Sequence, residues 1–156
     1  MSHPPGRIVG IDYGTIRVGI AISDVGQSIA SPYENYTRRG EQQDRQRFAR
    51  LAADEQVERF VVGLPVHLDG RESQKSREAR EFGDWLANVT GVPVEYFDER
   101  FTTLEAERLL GDAQLSKKKR RARLDKLAAQ IMLTAYLESR SAGADTRQEP
   151  PRGLDD

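Results

Sequence analysis

Arg7-Ile-Val-Gly-Ile-Asp12-Tyr-Gly14-Thr15-Ile-Arg17-Val-Gly19-Ile-Ala-Ile-Ser23-Asp24 is the stretch that decides the fold class of this chain. Ile8, Val9 and Ile11 are β-formers, and Val18, Ile20 and Ile22 repeat the pattern after a short connection containing Gly14. The stretch reads as two strands, 7–13 and 17–24, joined as a hairpin. It also places one carboxylate, Asp12, near the end of an apolar strand. Burying a carboxylate there is costly unless it is paired or binds a metal. Asp12 is therefore a candidate site residue, with turn-shaping by its side chain as the plainer role.

Working outward, a third strand falls within 27–37, where Ser31-Pro32 interrupts the pattern. Residues 41–55 carry Phe48, Leu51 and Ala52 on one helix face. Arg59–Pro65 is a short apolar strand stopped by Gly63 and Pro65, and 66–73 is a loop. Ala79, Phe82, Leu86 and Val89 mark an amphipathic helix over 74–89. A strand over 92–97 leads into Asp98-Glu99-Arg100. Thr102-x-x-Glu105 has the form of a capping box, predicting a helix to about Leu110 that Gly111 ends. Ser116–Arg121 reads as a basic connector without regular structure. Leu124, Leu127, Ala128, Ile131 and Ala135 then form the stripe of a last helix ending near Ser141. Residues 1–6 and the tail from Ala142 are expected to be disordered, leaving one domain over 7–141.

Strands that pair first as hairpins and then alternate with helices indicate an α/β domain with a mixed five-stranded sheet flanked by helices. Its later strands should be parallel, through right-handed crossovers. Functional groups in such sheets gather beyond the carboxyl ends of the strands, where Asp98 and Glu99 fall.

The bulk numbers narrow the function classes. The chain has 156 residues, 37% hydrophobic and 31% charged, with no cysteine. Disulfide frameworks, thiol nucleophiles and Cys-type zinc sites are thereby excluded. No apolar run approaches the ~20 residues of a membrane span, and the N-terminus lacks the apolar core of a signal peptide. No membrane association and a cytoplasmic location are expected. Formal net charge is −1, so affinity for nucleic acid would have to come from a local basic patch. His3 and His67 lack a triad context, and there is no Walker-type phosphate loop. His67 and Asp69 fit a plain loop role, and Trp85 fits the core.

The acids that stand out are Asp12, the Asp98-Glu99 pair and Asp125, near the start of the last helix. Converging carboxylates repel unless cations neutralise them. Magnesium suits that task, and two such ions roughly 3.5–4 Å apart can promote phosphodiester cleavage. Each acid alone also has an ordinary explanation, such as an ion pair with Arg100 or the helix dipole for Asp125. Their combination is what points to a metal site. The run Lys117, Lys118, Lys119, Arg120, Arg121 and Arg123 leads into Asp125 and could hold a polyanion by phosphate neutralisation. No aromatic residues interleave with it, so backbone or shape recognition is expected.

Four blocks resemble the YqgF family, also called RuvX: Gly10-Ile-Asp12-Tyr-Gly14-Thr15-x-Arg17-x-Gly19-x-Ala21, Val62-Gly63-Leu64-Pro65-x-x-x-Asp69-Gly70, Asp98-Glu99-Arg100-x-Thr102-Thr103-x-Glu105-Ala106, and Lys117-Lys118-Lys119-x-x-x-x-Leu124-Asp125-x-x-Ala128-Ala129-x-x-x-Leu133-x-x-Tyr136-Leu137. They recur in family order. The resemblance implies an RNase H-like fold and a nuclease site in which Asp12, Glu99 and Asp125 are catalytic and bind Mg²⁺ or Mn²⁺. Successive strand residues face opposite sides, so Glu99 ranks first at the strand end and Asp98 is the alternate. The implied substrate is structured RNA, the 5′ end of pre-16S rRNA, with Arg100 and the basic run as contacts. A Holliday junction resolvase acting on branched DNA is the alternative, and paired cuts would require a homodimer rather than a monomer. A non-catalytic nucleic-acid-binding module and an actin-like ATPase hairpin are the readings from other classes. The chain departs from the family pattern at Val66-His67-Leu68 and at Arg71.

Overall fold

The computed structural model describes residues 6–67, 69–102, 108 and 116–148, without the side chains of 117, 120–126 and 142–148. Strand β1 (Arg7–Asp12) is the centre of a five-stranded sheet. It pairs antiparallel with β2 (Arg17–Ser23), which pairs antiparallel with β3 (Ala30–Thr37). On its other side β1 pairs parallel with β4 (Val57–Leu64), and β4 with β5 (Val94–Asp98). The order β3-β2-β1-β4-β5 is the mixed sheet that the hairpin-then-alternation pattern predicts.

One sequence expectation gains detail and another changes. Pro32 interrupts the pattern of the third strand without ending it. It sits on an edge strand, and the pairing register steps from Ile20↔Glu34 to Ala21↔Pro32, leaving Tyr33 as the extra residue of a bulge. Gly63 does not stop the fourth strand either. It pairs with Phe97 inside the sheet, and β4 continues to Leu64.

Alternation along β1 divides the core. Val9 and Ile11 face helices α1 (Glu41–Asp54) and α2 (Gln74–Thr90), where Phe48, Leu51, Phe82 and Leu86 are buried. Trp85 packs against this layer, with its ring 5.2 Å from Phe82. Ile8 faces the opposite side, against Ala129, Met132, Leu133 and Tyr136 of α3 (Lys117–Gln148). Helix α2 is closed by a capping box between Ser73 and Ser76 and by Gly91 in the left-handed conformation.

The basic segment 116–121 is not an irregular connector. Helix α3 begins at Lys117, and Ser116 caps it by accepting a hydrogen bond from the Lys119 backbone N–H at 3.2 Å. Lysine and arginine are good helix formers, and extending an existing helix costs no new nucleation, which outweighs the absence of an apolar stripe. The helix also continues through Gln148, past Ser141, so the first residues of the expected disordered tail are helical. The capping-box helix expected over 102–110 falls largely outside the described residues. Glu99–Thr102 is a 3₁₀ turn.

Helix α3 lies unusually close to β1 because Gly10 has no side chain. A Cβ at this position would stand 2.9 Å from Leu133 Cβ and 3.4 Å from the Ala129 carbonyl oxygen. Gly10→Ala should therefore lower the unfolding free energy by about 1–2 kcal/mol, overpacking outweighing the smaller gain from a stiffer unfolded chain. Urea denaturation monitored by circular dichroism checks this; equal or greater stability would contradict it.

Candidate functional site

Asp12 is the last residue of β1 and is partly buried. Strand alternation puts it on the α3 face with Ile8 and Gly10. Both neighbouring strands are bare beside it. Gly19 of β2 is its cross-strand partner, and Gly63 of β4 follows Val62, the partner of Ile11. A Cβ at Gly19 would lie 3.5 Å from Asp12 Cβ and 3.6 Å from Ala129 Cβ. The carboxylate at the end of β1 thus sits in a gap between two glycines.

Glu99 occupies part of that gap. It opens the 3₁₀ turn after β5, where the chain bends out of the strand. Its side chain lies across Gly63: a Cβ there would overlap Glu99 Oε2 and stand 3.1 Å from Glu99 Cγ and Cδ. Burial pushes its carboxyl up to about 7, and the Asp12 charge adds to the effect, opposed by Lys75. Asp98 follows another course. Its carboxylate accepts hydrogen bonds from the Arg100 backbone N–H at 2.9 Å and from Arg100 Nε at 3.0 Å, and the two form an ion pair. Arg100 holds Asp98 below the usual carboxylate range. The bend therefore separates two adjacent acids, one placed beside Asp12 and the other engaged by a guanidinium.

Asp125 lies on α3, one turn before Ala129, whose Cβ borders the gap at Gly19. Its side chain is outside the described set, as are those of Lys117, Arg120, Arg121 and Arg123. Lys118 and Lys119 are exposed on the first turn of α3. The 66–73 loop is closed on itself, with the Gly70 N–H donating to His67 O at 2.8 Å and Arg71 paired with Asp69 at 2.7 Å.

Lys75 is a site residue that the sequence reading overlooked. It lines a cleft of about 560 Å³ with Asp12, Thr15, Arg17 and Asn35. A signal was available in the sequence. Lys75 falls in the first turn of α2, where the helix dipole disfavours a cation and where no acid is present. Gly63 is a second such residue; its neighbour Pro65 made it look like a strand terminator.

Two carboxylates brought together with one of them largely desolvated form a hard oxygen donor set, which suits Mg²⁺ or Mn²⁺. Among the described residues, no group of three or more acidic, histidine or cysteine side chains clusters for a metal. No helix among them is long and apolar enough to cross a membrane.

The mixed sheet, with carboxylates at the carboxyl ends of β1 and β5, is that of an RNase H-like phosphodiester hydrolase. Thermus thermophilus RuvC, solved with a Holliday junction substrate, superposes with a TM-score of 0.55 over 88% of this chain and 96% of its own, at 14% identity. A second Thermus thermophilus RuvC structure gives 0.51 at 18% identity, covering 87% and 96%. These likenesses show the fold. The model of the family described as "RuvX: Holliday junction resolvase" matches residues 6–139, and the chain belongs to that family. A relative from Rhodopirellula baltica, named "Putative pre-16S rRNA nuclease", is 44% identical over 86% of this chain and 78% of its own length. One from Koribacter versatilis with the same name is 39% identical, covering 93% of each.

Two predictions concern Glu99. Gly63→Ala should displace the Glu99 side chain and cut metal-dependent cleavage at least tenfold while leaving the thermal unfolding midpoint unchanged or higher, since alanine suits a strand no worse than glycine. Activity equal to wild type would contradict the placement. The second concerns pH in metal-free protein. The native state holds the Glu99 proton more tightly than the unfolded chain, so this group's stabilisation is complete below about 4.5 and is lost as pH rises through about 7. Glu99→Gln removes that loss and should gain about 3 kcal/mol on wild type between pH 4 and pH 8. Denaturation in EDTA at both pH values reads the difference.

Proposed function

We propose that the chain is a metal-dependent endonuclease that processes the 5′ end of pre-16S rRNA in the cytoplasm during ribosome biogenesis. The observation that carries this reading is the partly desolvated Glu99 carboxyl beside Asp12, in a gap kept open by Gly19 and Gly63. The shared name of the curated relatives supports the substrate.

In this reading Asp12, Glu99 and Asp125 hold Mg²⁺ or Mn²⁺. An ion held there would offset the carboxylate charges and would supply Lewis acidity for a water nucleophile and for the leaving oxygen. Glu99 would have to give up its proton to serve as a ligand, so affinity for an ion there would fall as pH drops below about 7. Asp125 supports the set by position, one helical turn from Ala129. Asp98 keeps Arg100 in place at the rim of the site. Lys118 and Lys119, with their neighbours at the start of α3, draw in the phosphate backbone without reading sequence.

Asp12→Asn and Glu99→Gln should each lower cleavage of a precursor 16S RNA by at least about 10²-fold in Mg²⁺. The double variant should be little worse than either single one, because the ligands act as a unit. A four-way DNA junction assayed in parallel tests the resolvase reading. Strong junction cleavage without RNA processing overturns the substrate, and full activity of Asp12→Asn overturns the site.

A further inference from the structure

The basic start of α3 is not the only cationic approach to Asp12. The cleft that holds Asp12, Arg17 and Lys75 meets a second cleft of about 570 Å³ between β3 and α1, and Asn35 of the edge strand lines both. Arg39 and Arg50 line the second cleft. Arg17, Lys75, Arg39 and Arg50 are all exposed, and none forms an ion pair among the described residues. Their neighbours behave differently. Arg47, in the second cleft, is paired with Glu34, and Arg45 on the same helix is paired with Glu41. The acid of the second cleft is thus already neutralised. Glu78 of the first cleft accepts a hydrogen bond from Gln74. What is left in the two clefts is four exposed cations without an ion pair, Arg17 and Lys75 beside the acids Asp12 and Glu78, and Arg39 and Arg50 beside no unpaired acid, with Asn35 and Thr15 as neutral hydrogen-bonding groups. The second cleft carries unopposed positive charge, which concentrates anions, and exposed cations without an ion pair suit the spaced charges of a nucleic-acid backbone.

We propose that the two clefts form one channel for the RNA strand that flanks the cleaved phosphate, with Arg17 and Lys75 holding the phosphates nearest Asp12 and Arg39 and Arg50 holding those farther along. This rests on the RNA-cleavage reading above and adds to it a second contact surface, separate from the start of α3. Asn35 positions the strand where the clefts join, and Thr15 adds a hydroxyl within the first cleft. The contacts are to the backbone, so they add affinity and register but no base preference.

The test measures binding apart from cleavage. Asp12→Asn protein in EDTA is titrated into a fluorescein-labelled RNA hairpin with a single-stranded 5′ extension, by anisotropy, over a salt series. Adding Arg39→Ala and Arg50→Ala should weaken binding about tenfold at low salt. It should also reduce the slope of log affinity against log salt by about 1.4, two contacts at roughly 0.7 each. Arg39→Lys with Arg50→Lys should restore the slope, and all forms should unfold at the parent temperature, because both residues are exposed. Unchanged affinity and slope in the alanine variant, a loss of affinity without a change in slope, or no RNA binding by the parent overturns the channel. Cleavage by wild type and Asp12→Asn, run alongside in Mg²⁺, judges the underlying reading separately. An inert Asp12→Asn with an unaffected alanine variant removes the channel alone, whereas an active Asp12→Asn removes the metal site and leaves the binding result standing.

Discussion

Two acids, Asp12 at the end of β1 and Glu99 in the turn after β5, are brought side by side over a stretch of sheet without side chains, and the candidate site depends on that arrangement. β4 lies between β1 and β5, so any ordinary residue at position 63 would fill the space that Glu99 occupies. Gly19 leaves the other flank of Asp12 equally open. Glu99 is desolvated enough to hold its proton up to about 7.

The topology supplies the rest of the arrangement. β1, β4 and β5 run parallel, so their carboxyl ends open at one edge of the sheet, where the turn after β5 and the first turn of α2 also arrive. The bend after β5 settles which of two adjacent acids turns inward. Arg100 engages Asp98 on the outside of the turn, and Glu99 takes the inner position. Lys75 stands at a helix start against the local dipole, and its charge opposes the upward push that burial and Asp12 give Glu99.

Much of this was legible in the sequence because it rests on local patterns. The β1–β2 hairpin, the alternation that follows and the strand-end position of Glu99 depend on short-range periodicity and strand-ending residues. The parts that were not legible depend on contacts between distant segments. Gly63 looks like a terminator beside Pro65 until β5 pairs with it. Pro32 looks like a break until it is seen on an edge strand with a bulge. The lysine and arginine run at 117–121 has no apolar period, yet it is helical because the packed turns after it extend backwards through it. The clefts of Arg39, Arg50 and Lys75 join α1, α2 and β3, a grouping that no window of sequence contains.

The close contact between Gly10 and Leu133 has a geometric consequence beyond packing. Leu133 and position 125 are on one helix, eight residues and roughly 12 Å apart, and each residue along a helix turns the next by about 100°. A slip of α3 by a single residue against β1 would rotate position 125 by that angle, away from the end of the strand that carries Asp12. A bare glycine that admits one leucine at one height fixes the rotation of the whole helix. The contact of Gly10 with Leu133 thus acts as a registration pin for the helix segment that carries Asp125, two turns away.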